Sequence, residues 1–183
     1  MKKTLYFDIE QEHSLFYFKK ELRNFIRNAK KEHETLVLVC IGTDRATGDC
    51  LGPLVGDYLQ KMCPSRFASI FGNLSKPVHA INLKDTIRQI YLRYPNPFII
   101  VVDACLGSAE HVGYVTLSNS SLTPGEGVCK CLPSLGNISI TGIVDCYCKE
   151  NITTIQNTHL YQVVKLADFI AMGITSLVSY PLL

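Results

Sequence analysis

The chain has 183 residues, with 18 Lys plus Arg against 16 Asp plus Glu, 47% apolar residues and 19% charged ones. A chain of this size buries roughly 70% of its unfolded surface, so one α/β domain over residues 1–183 is expected, with no disorder and no basic footprint for nucleic acid. It has no uninterrupted apolar run of about 18 residues, which argues against a membrane span, and acidic residues soon after Met1 leave no apolar signal core, so a cytoplasmic location is expected.

Residues 14–30 place Phe18, Leu22, Phe25, Ile26 and Ala29 at helical spacing, with Lys19, Lys20, Arg23, Arg27 and Lys30 elsewhere around the wheel. This predicts an amphipathic helix in an N-terminal extension, residues 1–33, packed on the rest. The apolar run Leu36 to Ile41 is a strand that enters a polar, glycine-bounded loop. A helix follows to about Met62, with Asp49 suited to its N-cap region and Pro53 to its first turn, and Cys63-Pro64-Ser65 ends it. Pro77 to Leu83 predicts a short strand and Asp85 to Tyr94 a helix. Phe98 to Val102 reads as a strand covered on both faces, delivering Asp103 just past its end. After a loop at 104–111 come a strand from Gly113 to Leu117, a loop over 118–137 long enough to be functional, a strand from Ile138 to Val144 and a closing helix over 158–179.

Alternating strands and helices predict a three-layer α/β sandwich with a mainly parallel sheet. If the strands at 36–41 and 98–103 are neighbours, roughly 5 Å apart, Asp49 and Asp103 border one crevice at the C-terminal ends, where open α/β sheets keep their sites. Two carboxylates in one crevice separate in pKa, leaving a protonated acid beside an ionised base that can activate water. The plainer alternative is that Asp49 caps its helix, Asp103 accepts loop amides, and Asp44 with Arg45 forms a solvated pair.

Other chemistries fit less well. Gly42 to Gly48 lacks the Lys-Ser/Thr of a P-loop and is not Gly-x-Gly-x-x-Gly, and Ser108 is not in a Gly-x-Ser-x-Gly elbow. Cys50 or Cys105 could serve as a thiol nucleophile, but no histidine is evidently near either, and among the histidines only His111 is placed to reach the crevice. Of the eight cysteines, Cys129-x-Cys131 and Cys146-x-Cys148 have the wrong spacing for structural zinc.

The segments Cys40-Ile-Gly-Thr-Asp-Arg-Ala-Thr-Gly-Asp-Cys-Leu-Gly-Pro53, Val102-Asp-Ala-Cys-Leu-Gly107, Pro124-Gly-Glu-Gly-Val128 and Gly136-Asn-Ile-Ser-Ile-Thr-Gly-Ile-Val144 resemble the YyaC-type sporulation proteins of endospore-forming bacteria. The likeness continues through Gln156-Asn-Thr-His-Leu160 and Lys165-Leu-Ala-Asp168, leaving only the first thirty or so residues distinct. More distantly, residues 36–145 resemble the spore germination protease and the hydrogenase-maturation peptidases. That resemblance implies their three-layer fold, hydrolytic activity of a peptidase kind, and Asp49 and Asp103 at the positions of the germination protease's catalytic aspartates. It further implies a substrate cleft lined by Asp44, Arg45, Gly125, Gly127 and Lys130, a peptide or protein substrate such as the small acid-soluble spore proteins, and a homo-oligomer. Hydrogenase-maturation peptidases hold nickel through two acidic positions and a later histidine. The matching loop, around Lys130 to Leu135, has no histidine, so neither metal nor other cofactor is expected. The opposing expectation is a non-catalytic protein that keeps the crevice to bind a peptide or ligand.

Overall fold

A computed structural model describes residues 2–30, 35–64, 66–124, 134–147 and 158–178. In chain order these form β1 (Thr4–Asp8), α1 (Ser14–Ala29), β2 (Thr35–Cys40), α2 (Leu51–Met62), β3 (Ser69–Phe71), α3 (Leu83–Arg93), β4 (Pro97–Gly107), β5 (Tyr114–Ser118), β6 (Ile138–Cys146) and α4 (Leu160–Thr175). The six strands make one sheet in the order β1-β5-β6-β4-β2-β3. Neighbours from β3 to β6 run parallel, while β5 is antiparallel to both β6 and β1. The sheet is therefore mixed, with a parallel centre, and its helices flank it in an α/β fold.

Alternation along the strands divides the core between the two faces. Leu36, Leu38 and Cys40 of β2 and Phe98, Ile100 and Val102 of β4 share a cluster with the apolar stripes of α1, α2 and α4. Val37 and Val39 of β2 and Ile99 and Val101 of β4 pack on the opposite face with Leu83 and Ile90 of α3. The continuous apolar runs of β2 and β4 are accounted for by this cover on both sides.

Three features differ from the sequence expectation. The N-terminal segment supplies an edge strand as well as a helix, because Thr4 to Asp8 pairs with Ser118 to Tyr114. The strand expected at 77–83 is a single parallel bridge, Val78 with Ile41. The parallel strand on the outer side of β2 is instead Ser69–Phe71, whose half-buried residues carry little periodicity to detect. Finally, β4 continues through Gly107, with a register shift between Cys105 and Leu106, so Asp103 lies within the strand rather than beyond it.

Phe18 ties the N-terminal elements to the sheet. It is fully buried, its ring lies 5.2 Å from Phe7 of β1 and 5.2 Å from Phe169 of α4, and a Cβ at Gly173 would come within 2.1 Å of its ring. Glycine at 173 is thus what lets α4 approach the ring. Phe18→Ala is expected to lower unfolding free energy by about 3–5 kcal/mol in urea titration, the usual cost of emptying a filled aromatic site. A loss below about 1 kcal/mol would show that α1 is not part of the cooperative core.

Candidate functional site

The end of β2 organises the site through three consecutive backbone amides. Ile41 N–H donates to Val102 O at 2.7 Å, Gly42 N–H to Val78 O at 2.8 Å and Thr43 N–H to Asp49 O at 3.0 Å. Each bond holds a segment that carries a titratable side chain at or next to the acceptor: Asp103, His79 and Asp49. Gly42 makes the convergence possible. Its φ is +144°, and a Cβ there would lie 1.9 Å from the Asp49 carbonyl oxygen, so only glycine allows the returning loop to close.

Asp49 sits in a 3₁₀ turn, Gly48–Cys50, that leads into α2. The expected capping role does not hold: Cys50 occupies the N-cap of α2, with no side-chain cap hydrogen bond, while Pro53 does fall in the first turn. Asp103 follows Ile99 and Val101 on the α3 face of β4 and pairs in register with Thr141. There the face changes from apolar to polar. Thr141 Oγ1 lies 2.7 Å from Thr116 Oγ1 and accepts from Cys105 Sγ at 3.2 Å.

The two carboxylates have different surroundings. Asp103 is only 8% exposed, and its Oδ1 accepts the Ala104 amide at 2.9 Å. Burial pushes its pKa well above the ordinary carboxylate value, and the neighbouring Asp49 charge pushes the same way, with the Ala104 bond opposing both. Asp49 is half-buried, and its pKa is raised too, though less than that of Asp103: burial raises it and His79 opposes only part of the rise. Asp103 is thus the group disposed to keep a proton and Asp49 the one disposed to lose it.

The thiols fit a nucleophile poorly. Cys105 is pushed up to about 11 by burial. Cys50 is also raised, chiefly by burial, and its Sγ donates to Thr47 O at 2.9 Å. His111 lies in the 3₁₀ turn Ala109–His111 after β4, where Nδ1 is 2.8 Å from Ser108 Oγ and the ring packs between Tyr6 and Tyr114. Asp44 and Arg45 are exposed on the loop before Asp49. Gly125, Gly127 and Lys130 lie outside the described residues. The ends of their loop are described: Leu122 and Leu135 exchange backbone hydrogen bonds of 2.9 and 2.8 Å, and Leu135 is buried in the α3-side core.

His79 was not among the residues singled out from the sequence. Nothing in Pro77-Val78-His79 signals a site, because its place depends on the bridge between Val78 and Ile41. As for a metal, the described residues contain no cluster of three or more His, Cys, Asp or Glu side chains placed to hold one, so nickel does not fit them and no chemical step is routed through it.

Comparison with known proteins agrees with this architecture. Residues 6–173 match a family described as a protein of unknown function, DUF1256, and the chain belongs to that family. It is 46% identical over 146 residues to the uncharacterized protein YyaC of Bacillus subtilis strain 168, covering 80% of this chain and 71% of YyaC. Its fold is similar to that of a NiFe hydrogenase maturation protease, HycI, from Thermococcus kodakarensis KOD1, with a TM-score of 0.56 and 16% identity over 84% of this chain and 98% of that one. The fold is protease-like. The described residues contain no helix long and apolar enough to cross a membrane.

The buried carboxylate has a measurable consequence for stability. Because the folded-state pKa of Asp103 lies above its unfolded value, the folded protein binds more protons between the two, and stability falls as pH rises through that interval. Asp103→Asn removes this dependence. In denaturant titrations at several pH values, the variant should gain on wild type as pH rises above the ordinary carboxylate value of 3.8. A difference constant with pH would contradict the burial of an ionisable group.

Proposed function

We propose that this protein is a peptidase in which Asp49 and Asp103 act as an acid–base pair on water. The observation that carries the reading is a half-buried carboxylate beside a more deeply buried one, with pKa values raised to different extents, level with the C-terminal end of β2 in a protease-like fold. Asp49, ionised, takes a proton from water as the oxygen attacks the peptide carbonyl carbon. Asp103, protonated, gives its proton to the carbonyl oxygen. In the second half, Asp49 returns its proton to the leaving nitrogen, the C–N bond breaks, and Asp103 recovers a proton from the tetrahedral intermediate. The cycle is balanced and leaves both groups as they began.

The substrate we assign is a protein segment, with the small acid-soluble spore proteins as first candidates and sporulation as the setting. Two features support this: 46% identity to a Bacillus protein over 80% of the chain, and the segment between Leu122 and Leu135, whose paired ends pack on the same sheet face as Asp103. Asp44, Arg45 and the loop carrying Gly125, Gly127 and Lys130 would bound the cleft. We assign the reaction to the cytoplasm.

Purified protein should cleave spore proteins or members of a peptide library, and Asp49→Asn and Asp103→Asn should each lower kcat by about 10²–10⁴, the span expected for a general acid or base. Cleavage should survive a chelator. A wild type inert toward every substrate, yet binding a peptide that Asp49→Asn releases, would instead identify a binding protein.

A further inference from the structure

We infer that the outer edge of β1 is a self-association surface, on which a second copy of this chain docks its own β1 antiparallel about a two-fold axis at Tyr6. The inference is independent of the chemistry at the aspartate pair.

The open edge follows from the hydrogen-bond phase of β1. Its register with β5 runs unbroken from Thr4 with Ser118 to Asp8 with Tyr114, and among the described residues no strand lies on its other side. Asn119 N–H donates to Lys3 O at 3.2 Å, so Lys3 belongs to a hydrogen-bonded pair, and the alternation of an antiparallel ladder gives the same inward role to Leu5 and Phe7. The backbone groups of Thr4, Tyr6 and Asp8 then point away from β5. Asp8 O is taken by Gln11 N–H at 3.3 Å, which leaves the N–H groups of Thr4, Tyr6 and Asp8 and the carbonyls of Thr4 and Tyr6 for another strand. β1 has no proline, no bulge and no charged residue before Asp8, the devices that ordinarily close an edge.

The sequence of this edge selects a copy of itself. With the axis at Tyr6, Tyr6 lies opposite the second copy's Tyr6, Leu5 opposite Phe7 and Thr4 opposite Asp8, and the aromatic and apolar pairs among these are of the kind that stabilise neighbouring strands. Beyond the strand, Lys2 falls opposite Glu10, so the basic start of one chain runs along the acidic stretch of the other, Asp8, Glu10 and Glu12. Parallel pairing would set lysine against lysine. A strand of 5 residues is small for a stable interface, and α1 extends it. Lys3 Nζ lies 3.9 Å from Glu21 Oε2 and 6.0 Å from the Phe25 ring centre, and Phe7 packs on Phe18, so α1 lies along β1. Phe18 and Arg23 turn toward α4, where they meet Phe169 and Ser176 O. At about 3.6 residues per turn, the flank away from α4 carries Tyr17, Glu21 and Asn24 and overhangs the open edge. Tyr6 and Tyr17 are 54% and 55% exposed, and tyrosines of this kind are what an interface core uses.

Sedimentation velocity on the full chain over a concentration series tests this. Wild type should sediment at twice the chain mass. Tyr6→Pro should sediment at the single mass with an unchanged circular dichroism spectrum, because proline there removes an outward N–H and none from the β5 ladder. Lys2→Glu, which sets like charges opposite each other at Glu10, should weaken the dimer several-fold at low salt and less at high salt. Amide hydrogen exchange supplies a reading that does not depend on how any variant folds. In wild type, the Thr4 and Tyr6 amides should exchange slowly where the dimer forms and fast after dilution to the monomer. A wild type that is monomeric at every concentration, a dimer that persists in folded Tyr6→Pro, or a Tyr6 amide that exchanges equally in monomer and dimer would overturn the inference. Protection of these amides only when a small acid-soluble spore protein is added would assign the edge to an extended peptide and overturn it as well.

Discussion

The site depends on what happens to the chain at the end of β2. Inside the sheet, the strand's amides serve the ladder, but Ile41, Gly42 and Thr43 turn to three different segments and bind Val102, Val78 and Asp49 in sequence. Backbone hydrogen bonds are short and directional, so three of them from adjacent residues leave little freedom in how their acceptors are arranged. That is how segments of β4, of the stretch before α3 and of the turn before α2 come to be tied to the end of β2. The positive φ of Gly42 is the local condition for it, since a side chain there would collide with the Asp49 carbonyl.

The rest of the molecule supplies rigidity and a low-dielectric wall. β4 and β2 are covered by helices on both faces, and their buried branched side chains hold the strand ends in place. Asp103 is the exception in this apolar setting. A carboxyl group at that depth costs stability when ionised, and one backbone amide is a partial offset. A residue that weakens the fold at higher pH, yet sits among well-packed strands, fits a functional site better than a structural one.

Much of the architecture was legible in the sequence because it rests on local pattern. The apolar runs of β2 and β4 and the helical stripe of α1 follow from periodicity, whereas the pairing of β2 with β4 entered only as a condition, which the structure meets. Short or unpatterned elements were not legible. β3 has three half-buried residues, and β1 is recognisable only through its pairing with β5. Asp103 stood out because it follows an apolar run, and Asp49 because it closes a polar loop just before a helix, although Asp49 does not cap α2 and Asp103 lies within its strand. His79 could not be found this way. No spacing relates it to either aspartate, and only the bridge between Val78 and Ile41 brings it to the same edge.

The central claim is that Asp103 holds a proton beside an ionised Asp49, and infrared spectroscopy reads this directly. At a pH above the ordinary carboxylate range, wild type should show the carbonyl stretch of a buried carboxylic acid, and Asp103→Asn should lack it. In Asp49→Asn the band should vanish at lower pH than in wild type, because the neighbouring negative charge is gone. Wild-type and Asp103→Asn spectra that coincide in that region would contradict the account.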